Sequence, residues 1–222
     1  MPFSVFLEEN MNKPIIYGPG YSTFARSVLM ALKEKNQDYD MNHVEMMKGE
    51  HKDPAHIKRH PFGKVPSFEH NGFSIYETDA ILRYIDDTFP GTKLQPADVQ
   101  KRTRMNQICS IVNSYLYSGI IMKVFLPRLF ADKEKGPDEV AIAEGDKSAQ
   151  PMLAAVENLL DGQGPHAVGQ EFSLADIMLL PIIDYYSQVP EGKKALPNFS
   201  KLNKWWQNIQ QRLSVKATVP QM

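Results

Sequence analysis

The stretch that decides the fold runs Pro14-Ile15-Ile16-Tyr17-Gly18-Pro19-Gly20-Tyr21-Ser22-Thr23-Phe24-Ala25-Arg26-Ser27-Val28-Leu29. Pro14 to Gly18 is a short apolar run that ends in Gly and Pro, the pattern of a buried strand stopping at a turn. From Thr23 to about Lys35, Phe24, Val28, Ala31 and Leu32 recur at the spacing of one helix face, and Ser22 stands in front of them as an N-cap. Tyr39 to Glu45 alternates weakly and reads as a second strand.

Working outward, Val65 to Phe68 and Phe73 to Ile75 flank a His70-Asn71-Gly72 turn, a hairpin signal. Ala80, Ile81, Tyr84 and Ile85 then form a helical stripe that should stop before Pro90-Gly91. Beyond Leu94 strand patterns disappear, which places a boundary at about 90 to 97. The expected division is an extension over 1–12, an α/β domain over 13–90, a linker over 91–97 and an all-helical domain over 98–222. Long helices are expected near Asp98 to Phe130 and Asp138 to Leu160. Ser173-Leu174-Ala175-Asp176 resembles a capping box opening a buried helix that Pro181 should kink or begin to end. A last helix after Pro197 is expected to bury Phe199, Leu202, Trp205, Trp206, Ile209 and Leu213.

Composition narrows the function. With 25 basic and 26 acidic side chains, the net charge of -1 creates no whole-protein field for nucleic acid or an anionic membrane. The cluster Lys52, Lys58, Arg59, Lys64 is interrupted by Asp53, preceded by Glu50 and lacks interleaved aromatics, which favours a small anion. Cys109 is the only cysteine, so no intramolecular disulfide, zinc-cysteine cluster or Cys-x-x-Cys pair is available. A reducing, cytoplasmic setting fits. Met1 to Asn12 does not read as a secretory leader, and no run approaches the roughly 18 uninterrupted apolar residues of a membrane span. His56 and His60 lie four apart with His51 nearby, but no fourth ligand is evident and Pro61 would end a helix there, so no metal is expected. Cys109, within an apolar helix pattern, reads as packing.

Strand, turn, Ser-capped helix, strand, then Val65-Pro66 before a hairpin is the order of a thioredoxin-like fold with no cysteine where its redox pair would sit. Four stretches in register resemble the glutathione S-transferase family, most closely its phi class: Ser22 to Leu29, Gly49-Glu50-His51-Lys52-Asp53-Pro54, Pro61-Phe62-Gly63-Lys64-Val65-Pro66, and Glu77-Thr78. They cover most of residues 13 to 90. Phe172 to Asp176 and the tryptophan-bearing last helix extend the likeness into the second half. The resemblance implies a mixed four-stranded sheet with helices, followed by an all-α domain that forms the electrophile site.

It further implies glutathione as co-substrate. His51 and Lys52 would meet the glycine carboxylate, with Lys64 adding positive charge. A cis peptide before Pro66 would expose the Val65 backbone to pair with the cysteinyl unit. Glu77 would receive the γ-glutamyl ammonium, and Thr78 with the free helix-start N–H groups its carboxylate. A thiol with a pKa of about 8.5 is mostly protonated at neutral pH, so a donor must stabilise the thiolate. Ser22, at the helix start with Arg26 four residues on, has the serine-type spacing. Tyr17, near the place of the phenol in tyrosine-type transferases, is the alternative, and Tyr21 sets a second hydroxyl beside Ser22. Tyr21, Tyr115, Met122 and Phe125 are candidate walls for a small hydrophobic electrophile. Conjugation, with hydroperoxide reduction as a related activity, is the expected reaction. A lyase, isomerase or dehalogenase on the same fold, or a non-catalytic relative, is the alternative. A homodimer is expected, with Phe62 at its interface.

Overall fold

Residues 13–220 are described by the structure, a computed structural model; the expected extension over residues 1–12 lies outside them. The chain divides after Thr92 into two units.

In the first unit, β1 (Ile15–Tyr17), α1 (Thr23–Glu34) and β2 (Asp40–Asn42) form a parallel crossover. Two 3-10 turns and the short α2 (Pro54–Ile57) lead to β3 (Ser67–His70), β4 (Phe73–Tyr76) and α3 (Thr78–Thr88). Sheet order is β2-β1-β3-β4, with β3 antiparallel to both β1 and β4. This is the mixed four-stranded sheet that the motif order implies. Asn71 and Gly72 both take positive φ (52° and 78°), the conformation that a two-residue hairpin turn demands. Ile16 and Phe68, opposed across β1 and β3, are buried, as are Val28, Leu32, Ile81 and Ile85 from α1 and α3, which pack together. Lys35, the residue that closes α1, is fully buried with its ammonium 2.7 Å from the Asp86 carboxylate.

Two strand limits differ from the pattern. β2 ends at Asn42 and its side chains are exposed, because the Glu45 carboxylate accepts from the Met47 N–H and turns the chain into a 3-10 turn, Met46–Lys48. β3 begins at Ser67 because Pro66 has no N–H to offer the ladder.

The second unit is helical. Asp98 caps a continuous helix, Val99–Leu129, by accepting from the Lys101 N–H at 2.9 Å. It runs as α4 (Val99–Ile111), a π-helical stretch (Val112–Phe125) and α5 (Leu126–Leu129). An 18-residue window reaches a mean hydropathy of 1.4, which satisfies a span by length and composition; half of that window is buried inside the molecule. α6 (Glu139–Leu159), capped by Asp138, crosses this helix closely at Gly145, where a Cβ would lie 2.7 Å from the Lys123 carbonyl oxygen. α7 (Leu174–Gln188), α8 (Pro190–Ala195), α9 (Ser200–Ile209) and α10 (Leu213–Lys216) complete the unit.

Here tertiary packing overrules two local rules. α7 does not end at Pro181 but continues to Gln188, because Leu179, Leu180, Ile182 and Ile183 are all fully buried, which outweighs the lost backbone donor. Leu213 does not extend the apolar face of α9: the chain breaks at Gln210–Arg212 and Leu213 opens α10 with 82% of its surface exposed. Arg212 stacks on the Phe172 ring at 3.9 Å, which draws the chain out of helical register at that point.

Candidate functional site

The turn between β1 and α1 sets the site. Ser22 has extended backbone geometry (φ -66°, ψ 130°), its carbonyl accepts from Arg26 N–H at 2.9 Å, and its Oγ accepts weakly from Ala25 N–H at 3.4 Å. The hydroxyl proton of Ser22 has no acceptor among the described residues. Gly18 lets a second segment approach this turn: a Cβ there would lie 3.3 Å from Val65 Cβ and 3.7 Å from Ala25 Cβ.

That second segment holds the cis Val65–Pro66 peptide. Among the described residues the backbone of Val65 makes no hydrogen bond, so the next positions of the sheet are open to an extended peptide. The preceding carbonyl, of Lys64, accepts from buried His56 Nε2 at 2.8 Å, which fixes the loop from below. Gly63, at φ 57°, brings the same loop against the carbonyl of His51; a Cβ would stand 3.1 Å from that oxygen. His51 is half-buried, while Lys52 and Lys64 are exposed.

Glu77 supplies the third segment. It sits at φ 71°, ψ 111°, a backbone state that a non-glycine residue holds at a cost of roughly 1–3 kcal/mol. Its carbonyl accepts from Ala80 and Ile81 N–H groups, both at 3.0 Å, while the N–H groups of Thr78 and Asp79 find no acceptor among the described residues. The start of α3 therefore offers two free donors and positive potential beside an exposed carboxylate.

The other candidates fall elsewhere. Tyr17 donates its phenol proton to Glu69 at 3.1 Å, its ring lies under the Arg59 guanidinium at 4.1 Å, and it is buried with Val44 and Val65. Tyr21 turns its hydroxyl to Glu45 at 3.5 Å, where burial and the neighbouring carboxylate push the phenol above its usual range. Tyr115 and Met122 are exposed on the π-helical stretch. Phe125 packs into the core of the helical unit, stacked on Tyr185 with centroids 4.4 Å apart. The ring of His56 stacks on that of His60, and burial lowers the pKa of His60. Among the described residues, no group of three His, Cys, Asp or Glu side chains is arranged to hold a metal.

Sequence reading missed Glu69, which accepts from Tyr17, and Glu45, which holds Tyr21, and it grouped Arg59 with a cluster for a small anion where the guanidinium instead lies over the Tyr17 ring. These are contacts between segments that no local spacing reports. The alternation of β3 could have aimed Glu69 at one face, but its partner depends on the β1 register.

Comparison with known proteins finds two family models, one in each half of the chain. Residues 14–87 match the model of the glutathione S-transferase N-terminal domain, and residues 121–218 that of the glutathione S-transferase C-terminal domain. The chain is 31% identical to glutathione S-transferase F9 of Arabidopsis thaliana over 208 residues, 92% of this chain and 95% of the relative. Glutathione S-transferase F6 of the same plant is 30% identical, with 92% and 98% covered. The crystal structure of poplar glutathione transferase F1 superposes with a TM-score of 0.81 at 29% identity, covering 93% of this chain and 96% of that one. With the fold, both domain models and near-complete coverage in agreement, the chain belongs to the glutathione S-transferase family.

Proposed function

We propose that this chain is a serine-type, phi-like transferase in which the Ser22 hydroxyl donates to the thiolate of glutathione, readying it for attack on a small hydrophobic electrophile. The observation that carries the reading is a difference between two hydroxyls. The Ser22 proton has no acceptor among the described residues, whereas that of Tyr17 is given to Glu69 beneath Arg59. The N-terminus of α1 adds its potential to the same point, so both effects favour the charged form of the thiol.

The remaining residues divide the ligand by charge. His51, Lys52 and Lys64 suit the glycine carboxylate, the unpaired Val65 backbone beside Pro66 suits the cysteinyl unit, and Glu77 with the free donors at Thr78 suits the γ-glutamyl end. Thiolate attack forms a carbon–sulfur bond as the electrophile's leaving group departs with the electron pair, and the thiol proton goes to solvent. Of the helical half's candidates, Tyr115 and Met122 have the exposure to meet an apolar substrate. By the same resemblance the chain pairs as a homodimer, with Phe62, 67% exposed, offered to the interface.

The test is conjugation of a chlorinated nitroaromatic across pH by the parent, Ser22→Ala and Tyr17→Phe. Ser22→Ala should lower kcat/KM by roughly 10²-fold near neutral pH, the usual effect of removing one preorganised donor. The sign follows from the bound thiol. Its pKa, held down in the parent, should rise in Ser22→Ala toward about 8.5, so the deficit is greatest at low pH and narrows as pH passes that value. Tyr17→Phe should track the parent. A parent-like profile for Ser22→Ala, or a thiol pKa that moves only in Tyr17→Phe, would overturn the assignment.

A further inference from the structure

The residues matched to the glycine carboxylate stand on a segment that pairs with no strand and reaches the sheet only where Val44 and Met46 pack on Tyr17 and Val65. After β2 ends at Asn42, the chain from His43 to Asp53 is loop with two single 3-10 turns, Met46–Lys48 and Glu50–Lys52, separated by Gly49 at φ 81°. Of its side chains only Val44 is buried. Its internal bonds converge on Glu45. The Glu45 N–H donates to Glu50 Oε2 at 2.7 Å, its carbonyl accepts from Lys48 and Glu50 N–H groups at 3.2 Å, and its carboxylate accepts from Met47 N–H at 3.1 Å. These bonds shape the segment, yet none joins it to the Ser22 turn.

Tyr21 does. It precedes Ser22 directly, donates to Glu45 Oε1 at 3.5 Å and meets the His43 ring edge-on at 6.4 Å. The phenol thus couples the residue beside the sulfur donor to the node from which Glu50, His51 and Lys52 are built.

We propose that Tyr21 and Glu45 are positioning residues for the carboxylate-reading end of the glutathione site: their contact fixes where His51–Lys52 stands relative to Ser22, and so sets affinity for a thiol peptide that ends in a glycine carboxylate. The inference rests on the roles given above to Ser22, His51 and Lys52. Without the tether the segment keeps the packing of Val44 and Met46 on Tyr17 and Val65, but the ligand must order what lies beyond it, and that ordering is subtracted from its binding free energy.

The test is calorimetric titration of the parent, Tyr21→Phe, Glu45→Ala and Glu45→Gln with glutathione and with γ-glutamylcysteine, which keeps the thiol and the γ-glutamyl end but lacks the glycine. Tyr21→Phe and Glu45→Ala should raise the Kd for glutathione about two- to threefold, the low end of what a hydrogen bond is worth, as befits a contact of 3.5 Å. Neither should change the Kd for the dipeptide or the pKa of the bound thiol. Glu45→Gln, whose amide oxygen still accepts from the phenol and from Met47, should restore the parent's Kd. Equal weakening of both ligands, no weakening, or a displaced thiol pKa in Tyr21→Phe overturns the inference. A parent that fails to bind glutathione overturns the functional reading beneath it, whereas a parent that binds and a Tyr21→Phe that binds identically overturn only this step.

Discussion

Asp176→Ala is expected to destabilise the helical unit by more than about 4 kcal/mol, a loss reserved for a few kinds of buried site. The Asp176 carboxylate is fully buried and accepts four hydrogen bonds, from Ala167 N–H and Trp205 Nε1–H at 2.8 Å and from Ser173 N–H and Oγ–H at 2.9 Å. It therefore joins three separate pieces of chain: the 160s loop, the start of α7 and α9. Truncation leaves four donors facing apolar surroundings, each unsatisfied group costing about 1–3 kcal/mol before relaxation. The midpoint of thermal unfolding, read by tryptophan fluorescence, should fall by more than about 8 °C. Trp205→Phe, which removes one donor and keeps the other three bonds, should lose far less. Near-parent stability for Asp176→Ala would mean that the loop collapses onto other acceptors and that this carboxylate is dispensable.

The second large effect is expected in the first unit. The Lys35 ammonium lies 2.7 Å from Asp86 Oδ1 and also donates to the carbonyls of Thr92 at 2.8 Å and Asp86 at 3.3 Å, with both side chains wholly buried. Three acceptors match its three protons, so the end of α1 is tied at once to α3 and to the point where the chain leaves the unit. Asp86→Ala removes the counter-charge and keeps the buried cation, which should lower stability to urea by about 3–5 kcal/mol. The double variant Lys35→Met, Asp86→Leu should recover most of that loss, because an apolar pair needs no desolvation. A single-variant loss near the about 0–1 kcal/mol of an exposed pair would show that water reaches the ammonium.

Much of the first unit was legible because its signals are local. Ser22 as cap and the Phe24, Val28, Ala31, Leu32 spacing gave α1, and Asn71-Gly72 gave the hairpin, since these depend on neighbours within one turn. The same locality explains the failures. Pro181 carries a real helix-breaking cost, but burial on every side of α7 outweighs it. Leu213 matched the α9 stripe, yet Arg212 had a ring to stack on. The π-helical stretch has no composition of its own to read. At the candidate site, motif register pointed to the residues of the proposed reading, while the contacts of Tyr17 and Tyr21 turned on Glu69 and Glu45, 52 and 24 positions away.

If Glu77 receives the γ-glutamyl end as proposed, heat tolerance and ligand recognition are rivals at a single codon. A glycine there would relax the φ of 71° and should raise the unfolding midpoint while deleting the carboxylate. A library selected for survival of heating alone would drift to glycine at this position. One selected for turnover would keep the acidic side chain and carry its strain.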